Sequence, residues 1–127
     1  MKMQSLGREK RLGRPAEFAE VQRNGISNRG SLLIVGSKVA PQEEGFRVGF
    51  VTSKRVGGAV VRNRIRRRLR EIVRRHQDQV LPGVWIVTIA RAAAARASYG
   101  ALEDEWLRLA RRASILAPDA PADQNSD

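Results

Sequence analysis

The stretch from Ala59 to about Gln79 restricts this chain more than any other. Val61, Ile65, Leu69, Ile72, Val73, His76 and Val80 recur at intervals of 4, 4, 3, 1, 3 and 4, which is the spacing of one helical face. Between Arg62 and Arg75 the same stretch holds eight arginines and one acid, Glu71. At about 100° per residue, Asn63, Arg66, Arg67, Arg70 and Arg74 gather opposite the apolar stripe. Arg64, Arg68 and Arg75 line one flank, and Arg62 lies at the edge of the stripe near the helix start. Such a helix is fixed by its aliphatic side and offers guanidinium groups outward. A solvated helix face usually mixes signs, because opposite charges three or four residues apart support the helix. Here Arg66, Arg70 and Arg74 succeed one another at intervals of four, so the free helix carries a small repulsive cost that a bound polyanion removes.

The charge is concentrated there. Residues 54–75 hold ten basic residues and one acid, which is +9 of a net charge of +11. A pI near 11.5 calls for a polyanionic partner. A membrane-surface helix would need a broad exposed apolar face with aromatic residues, and this stripe is narrow and aliphatic, so no membrane partner is expected. No run approaches the ~18 apolar residues of a membrane span, and no apolar core follows the basic start as in a signal peptide. The absence of cysteine excludes disulfides and thiolate metal sites and agrees with a reducing, cytoplasmic setting. At 127 residues the chain reads as one α+β domain at 15–113, with a flexible basic arm at 1–14 and a disordered acidic tail at 114–127.

Along the chain, Pro15 suits the first turn of a short helix that Gly25 can stop, with Phe18 and Val21 on its inner face. "SLLIVGSKV" (31–39) and "FRVGFVTS" (46–53) read as an antiparallel hairpin across the turn residues "APQEEG". In the second of these, Phe46, Val48 and Phe50 share a face. "VWIVTIAR" (84–91) is a near-continuous apolar run, expected of an interior strand. Ser98 is placed to cap a last helix that buries Leu102, Trp106, Leu109 and Ala113.

Few residues invite a chemical role of their own. His76, the one histidine, falls on the apolar stripe and reads as a packed imidazole. Glu103, Asp104 and Glu105 fall in the first turn of the last helix, where acids favour the dipole. Trp85 and Trp106 read as core. No nucleophile, acid–base pair or metal-ligand set emerges, so no metal site, no small-molecule cofactor and no catalytic residue of the chain itself is expected.

The segment "RVGFVTSKRVGGAVVRNRIRRRLRE" (47–71) resembles the signature of the bacterial ribonuclease P protein subunit. A strand ends in Ser-Lys-Arg, two glycines precede Ala-Val, and Arg-Asn-Arg opens a basic helix closing in Leu-Arg-Glu. "RLGRPAEFAEVQRNG" is similar to that family's first helix and "VWIVTIAR" to its last strand. The resemblance covers about Lys10 to Arg112.

The resemblance implies a small two-layer α+β sandwich, like the second domain of ribosomal protein S5. Its element order is helix, three strands, helix, strand, helix, with a short first strand near Gly25–Asn28 and a left-handed β-α-β crossover. It implies a subunit of an endonuclease that removes the 5′ leader from precursor tRNA, in which a catalytic RNA with Mg²⁺ performs the hydrolysis. The partners are then the catalytic RNA and the leader, and the protein strengthens substrate and Mg²⁺ binding. By position, Lys54, Arg55, Arg62, Asn63, Arg64, Arg66, Arg67, Arg70 and Arg74 would contact RNA. Phe18, Gln22, Arg29, Ile34 and Phe50 would form the leader cleft, bordered by Lys54 and Arg55. Gln22 and Ile34 stand where family members often carry aromatic residues, so stacking on the leader rests chiefly on Phe18. A non-catalytic RNA scaffold of ribosomal type would use the same basic helix, and is set apart by its indifference to a leader.

Overall fold

The computed structural model describes residues 6, 7 and 10–118. The outer parts of the expected arm and tail, 1–5, 8, 9 and 119–127, lie outside the described residues. The elements are α1 (Pro15–Asn24), β1 (Ile26–Arg29), β2 (Leu33–Val39), β3 (Phe46–Thr52), α2 (Ala59–Arg75), β4 (Val84–Ala90) and α3 (Tyr99–Arg112), with 3₁₀ turns at Gln77–Gln79 and Ala92–Arg96.

The four strands form one sheet in the order β1-β2-β4-β3. β4 is interior, as its apolarity on both faces requires. It pairs antiparallel with β2 and parallel with β3. The expected β2–β3 hairpin is therefore corrected, because β4 inserts between the two strands. The six-residue connection has its backbone tied to the start of β4 instead: Ala40 N–H donates to Gly83 O at 2.7 Å and Gly83 N–H to Gly45 O at 2.7 Å. The hairpin that does form is β1–β2.

The main core lies between the sheet and α2 with α3. Ile65, Leu69, Ile72 and Val73 of α2, and Leu102, Trp106 and Leu109 of α3, are wholly buried against Leu33, Val35, Val48 and Ile86. Trp106 Nε1 donates to the buried Thr88 Oγ1 at 3.0 Å, so the one polar atom of the largest core side chain is satisfied. α3 begins as expected, with Ser98 Oγ accepting from Ala101 N–H at 3.1 Å. α2 ends at Arg75, sooner than Gln79. The N–H of His76 bonds back to Ile72 and Val73, and the chain then extends so that Val80 and Leu81 pair with Ile115 and Leu116.

α1 lies on the other face of the sheet. Strand register explains where it sits. The residues facing α1 form three cross-strand rows: Lys38–Trp85–Arg47; Ser27–Gly36–Val87–Gly49; and Arg29–Ile34–Ile89–Val51. The middle row is the smallest, and α1 packs on it through Val21 and Phe18. A side chain on Gly49 would collide with the Phe18 ring, and one on Gly36 would meet Val21 at 3.5 Å. Gly25 ends α1 as expected, but for close approach and not for a left-handed turn. Its φ is −99°, and a side chain there would strike the carbonyl oxygens of Ser37 and Val21.

Folded structure extends past the expected limits of 15 and 113. Leu6 and Leu12 are 3% and 5% exposed, and Ile115 and Leu116 are 3% and 9% exposed. Leu12 N–H donates to Val48 O at 3.0 Å, so the chain before α1 runs beside β3 and covers the sheet edge that would otherwise be open.

Candidate RNA interface

On α2 the sequence places the apolar stripe inward, and the arginines divide by what they touch. Arg64 and Arg68, on one flank, donate to Ala95 O at 3.0 Å and Ala97 O at 3.1 Å. These two bonds tie the helix to the 3₁₀ turn after β4. Arg74 is ion-paired with Glu71, its Nε donating at 2.9 Å. The hydrogen bond holds the Glu71 carboxyl below its ordinary value and raises the Arg74 guanidinium. Among the described residues Arg74 thus already has a carboxylate, unlike the other arginines expected to contact RNA. Arg75 lies 3.6 Å from Glu103.

Arg62, Arg66, Arg67 and Arg70 have no carboxylate within ion-pair distance among the described residues. Arg67 is fully on the surface, and the other three are half-buried. Asn63, between two arginines, orients a neighbour on the next turn. Its Oδ1 accepts from Arg66 Nη2 at 3.2 Å and steers that guanidinium along the outer face. Burial, and then the charges of Arg11 and Arg66, pull the Arg70 guanidinium below its ordinary value. It remains a cation at any neutral pH, because arginine starts so high.

The second surface lies on the α1 side of the sheet. Phe18 stands half-buried at the margin of α1, above Gly49. Beside it the row Arg29–Ile34–Ile89–Val51 forms a floor whose three aliphatic members are all half-buried. Lys54 and Arg55 follow directly after β3, both exposed, at the end of the sheet where Val51 closes this row. Arg29 marks its other end. The opposite margin of α1 is tied down by ion pairs. Glu17 Oε2 accepts from Arg47 Nη1 at 3.0 Å, and Glu20 lies 3.6 Å from Lys38. Burial pushes the Glu17 carboxyl up, but hydrogen bonds from the Arg14 and Gly13 N–H groups and the charge of Arg47 outweigh it and leave it lowered.

The structure thus brings Phe18, Ile34 and Arg29 to one face of the sheet, with Gln22 exposed on α1. Phe50 is not with them. It alternates with Phe46 and Val48 and packs on the α2 core, so it meets Phe18 only around the edge of β3, across a cavity of about 130 Å³. Sequence reasoning missed Val51 and Ile89, which complete the floor. The alternation that assigned Phe46, Val48 and Phe50 to one face already assigned Val51 to the other.

The expected place of Glu103, Asp104 and Glu105 in the first turn of α3 is corrected, because the helix starts at Tyr99 and its first turn holds no acid; two of the three bind elsewhere instead. Glu105 is 6% exposed; its Oε2 accepts from Leu32 N–H at 2.6 Å and Leu33 N–H at 2.8 Å, and its Oε1 from Ser31 Oγ at 3.3 Å. It fastens the β1–β2 turn that follows Arg29. Glu103 Oε2 lies 2.8 Å from His76 Nε2, so the histidine is packed, as expected, at the end of α2. Among the described residues no group of three histidines, cysteines or carboxylates converges as a metal site would require, and no helix is long and apolar enough to cross a membrane.

Comparison with known proteins gives matches in both sequence and fold. A family profile described as Ribonuclease P matches residues 6–114. The ribonuclease P protein component of Roseiflexus castenholzii is 41% identical over 108 residues, covering 84% of this chain and 87% of the relative. That of Syntrophomonas wolfei is 35% identical over 115 residues, covering 91% and 96%. Among solved structures, the Staphylococcus aureus RNase P protein superposes with a TM-score of 0.79 at 26% identity, covering 84% of this chain and 96% of that one. The Thermotoga maritima protein gives 0.72 at 26% identity, covering 80% and 96%.

Proposed function

The chain belongs to the bacterial ribonuclease P protein family, and from that premise we propose how its two faces divide the work. It is a protein subunit of ribonuclease P, the endonuclease of tRNA processing. In our reading α2 seats the catalytic RNA, and the face shared by α1 and the sheet holds the 5′ leader of precursor tRNA. The observation that carries this is the set of four arginines, Arg62, Arg66, Arg67 and Arg70, without carboxylate partners among the described residues, on a helix whose opposite side is wholly buried. Guanidinium forks bind phosphate oxygens in pairs, and an RNA backbone removes the repulsion that these groups exert on one another.

The leader would cross the Ile34–Ile89–Val51 floor beside Phe18, with Lys54 and Arg55 at one end and Arg29 at the other. An aromatic ring accepts any base on its face. The chemical step would belong to the RNA. Mg²⁺ would go with it, since Mg²⁺ is rarely held by an all-protein cage. The place of work would be the cytoplasm.

The reading is tested on α2. Removing one arginine–phosphate pair should reduce the slope of log affinity against log salt by about 0.7 to 0.9. Arg67→Ala, an exposed position that disturbs no internal bond, is expected to lower affinity for a bacterial ribonuclease P RNA and flatten the slope by that amount. Filter binding across a salt series checks it. An unchanged slope would mean that this face does not meet RNA.

A further inference from the structure

We propose that Arg11, Arg66 and Arg70 form a single phosphate-binding pocket at the seam between the leader face and the catalytic-RNA face, with Arg11 as its unassigned member. The proposal rests on the reading that α2 faces RNA, and adds to it a site and a residue from outside α2.

The three side chains come from distant parts of the sequence and line one cavity of about 130 Å³, together with Leu12, Phe18 and Phe50. Among the described residues no carboxylate lines it. Arg70 makes no hydrogen bond or ion pair among the described residues, and its Nε is buried without a partner. Arg66 spends one donor on the neutral Asn63 Oδ1 at 3.2 Å, and Arg11 one on the neutral Leu6 O at 3.3 Å. Most of the donors of the three groups are therefore unspent, and among the described residues no carboxylate balances their charge. Three cations around an apolar-walled space repel one another more strongly than they would in open water. A phosphate would reverse the sign of that interaction and take several N–H donors at once.

Arg11 is held in place by its main chain and not by chance. Its backbone bridges to Val48, its carbonyl accepts from Arg47 Nη2 at 2.7 Å, and the next residue is bonded to β3. The segment before α1 therefore delivers a third guanidinium to α2 around the edge of the sheet. The same chemistry could come from a leader phosphodiester or from one in the catalytic RNA, since both surfaces end at this seam.

The test uses the full chain with Arg11→Gln and Arg11→Lys. One arm measures binding of a bacterial ribonuclease P RNA across a salt series. The other measures binding of precursor tRNA to the reconstituted holoenzyme, with a leader of two nucleotides and one of ten. Arg11→Gln should flatten the salt slope by about 0.7 to 0.9 in one arm, and Arg11→Lys should retain the slope. Loss in the first arm assigns the phosphate to the catalytic RNA. Loss only with the long leader assigns it to the substrate. If Arg11→Gln keeps the wild-type slope in both arms while Arg67→Ala loses slope, the pocket is overturned and the proposed function stands. If neither variant loses slope, both fall.

Discussion

Replacing Phe18 with alanine is expected to remove most of the preference for precursor tRNA over mature tRNA, while leaving affinity for the catalytic RNA nearly intact. Stacking of one base on an aromatic ring contributes about 1–3 kcal/mol, so the loss should be roughly 5- to 150-fold in leader-dependent affinity. Among the described residues Phe18 is the only aromatic side chain beside the Ile34–Ile89–Val51 floor, and Gln22 and Ile34 offer no ring. No second ring is there to compensate. The ring also rests on Gly49, and its removal loosens the seat of α1. Val21, 1% exposed on the same face, and the Glu17–Arg47 pair remain to hold the helix. Parallel titrations of precursor and mature tRNA with the reconstituted holoenzyme check the result, and thermal melting of the free variant shows that the domain is intact. Equal weakening for both substrates would indicate that Phe18 acts only through the fold. Full retention of the leader preference would show that Phe18 does not hold the leader, and no preference even with the unsubstituted chain would favour an RNA scaffold that ignores the leader.

The largest stability effect is expected at Glu105. In Glu105→Ala the N–H groups of Leu32 and Leu33 lose their acceptor while Leu33 stays wholly buried. A buried donor left unpaired costs about 1–3 kcal/mol, so the pair should lower unfolding free energy by about 2–5 kcal/mol. That is a large part of the roughly 5–15 kcal/mol typical of a domain. Glu105→Gln keeps one oxygen acceptor and should cost less. Urea unfolding measures both. The β1–β2 turn should also loosen, and with it the end of the floor marked by Arg29. A loss below about 0.5 kcal/mol for Glu105→Ala would show that water replaces the carboxylate freely, contrary to the burial seen here.

Much of this was legible in the sequence where one element determines its own surroundings. The α2 stripe names its buried residues because helical periodicity is local, and Ile65, Leu69, Ile72 and Val73 are all buried. The interior place of β4 follows from apolarity on both faces. The pairing of strands does not, because sheet order is non-local and nothing in "FRVGFVTS" tells that its neighbour is a strand more than thirty residues on. β1 is expected from the resemblance alone and escapes the hydrophobic pattern, because "ISNR" is short and mostly exposed; it is held by its ladder to β2 and not by burial. Leu6 and Leu12 are isolated apolar residues among charges, and only the edge of β3 gives them a place to pack. Glu105 could have been found. It falls with Leu102, Trp106 and Leu109 on one helical stripe, and a carboxylate there must be satisfied from inside. Phe50 differs from the other expected cleft residues: the alternation along β3 turns it toward α2, where it lines a cavity with Phe18.

The unpaired arginines of α2 answer most directly to a reconstitution. A bacterial ribonuclease P RNA is incubated with precursor tRNA at a Mg²⁺ concentration too low for the RNA to cut efficiently alone, and release of the 5′ leader is timed with and without the full chain. The chain should bind the RNA and raise the rate of leader release. A rate unchanged by saturating chain would contradict the account.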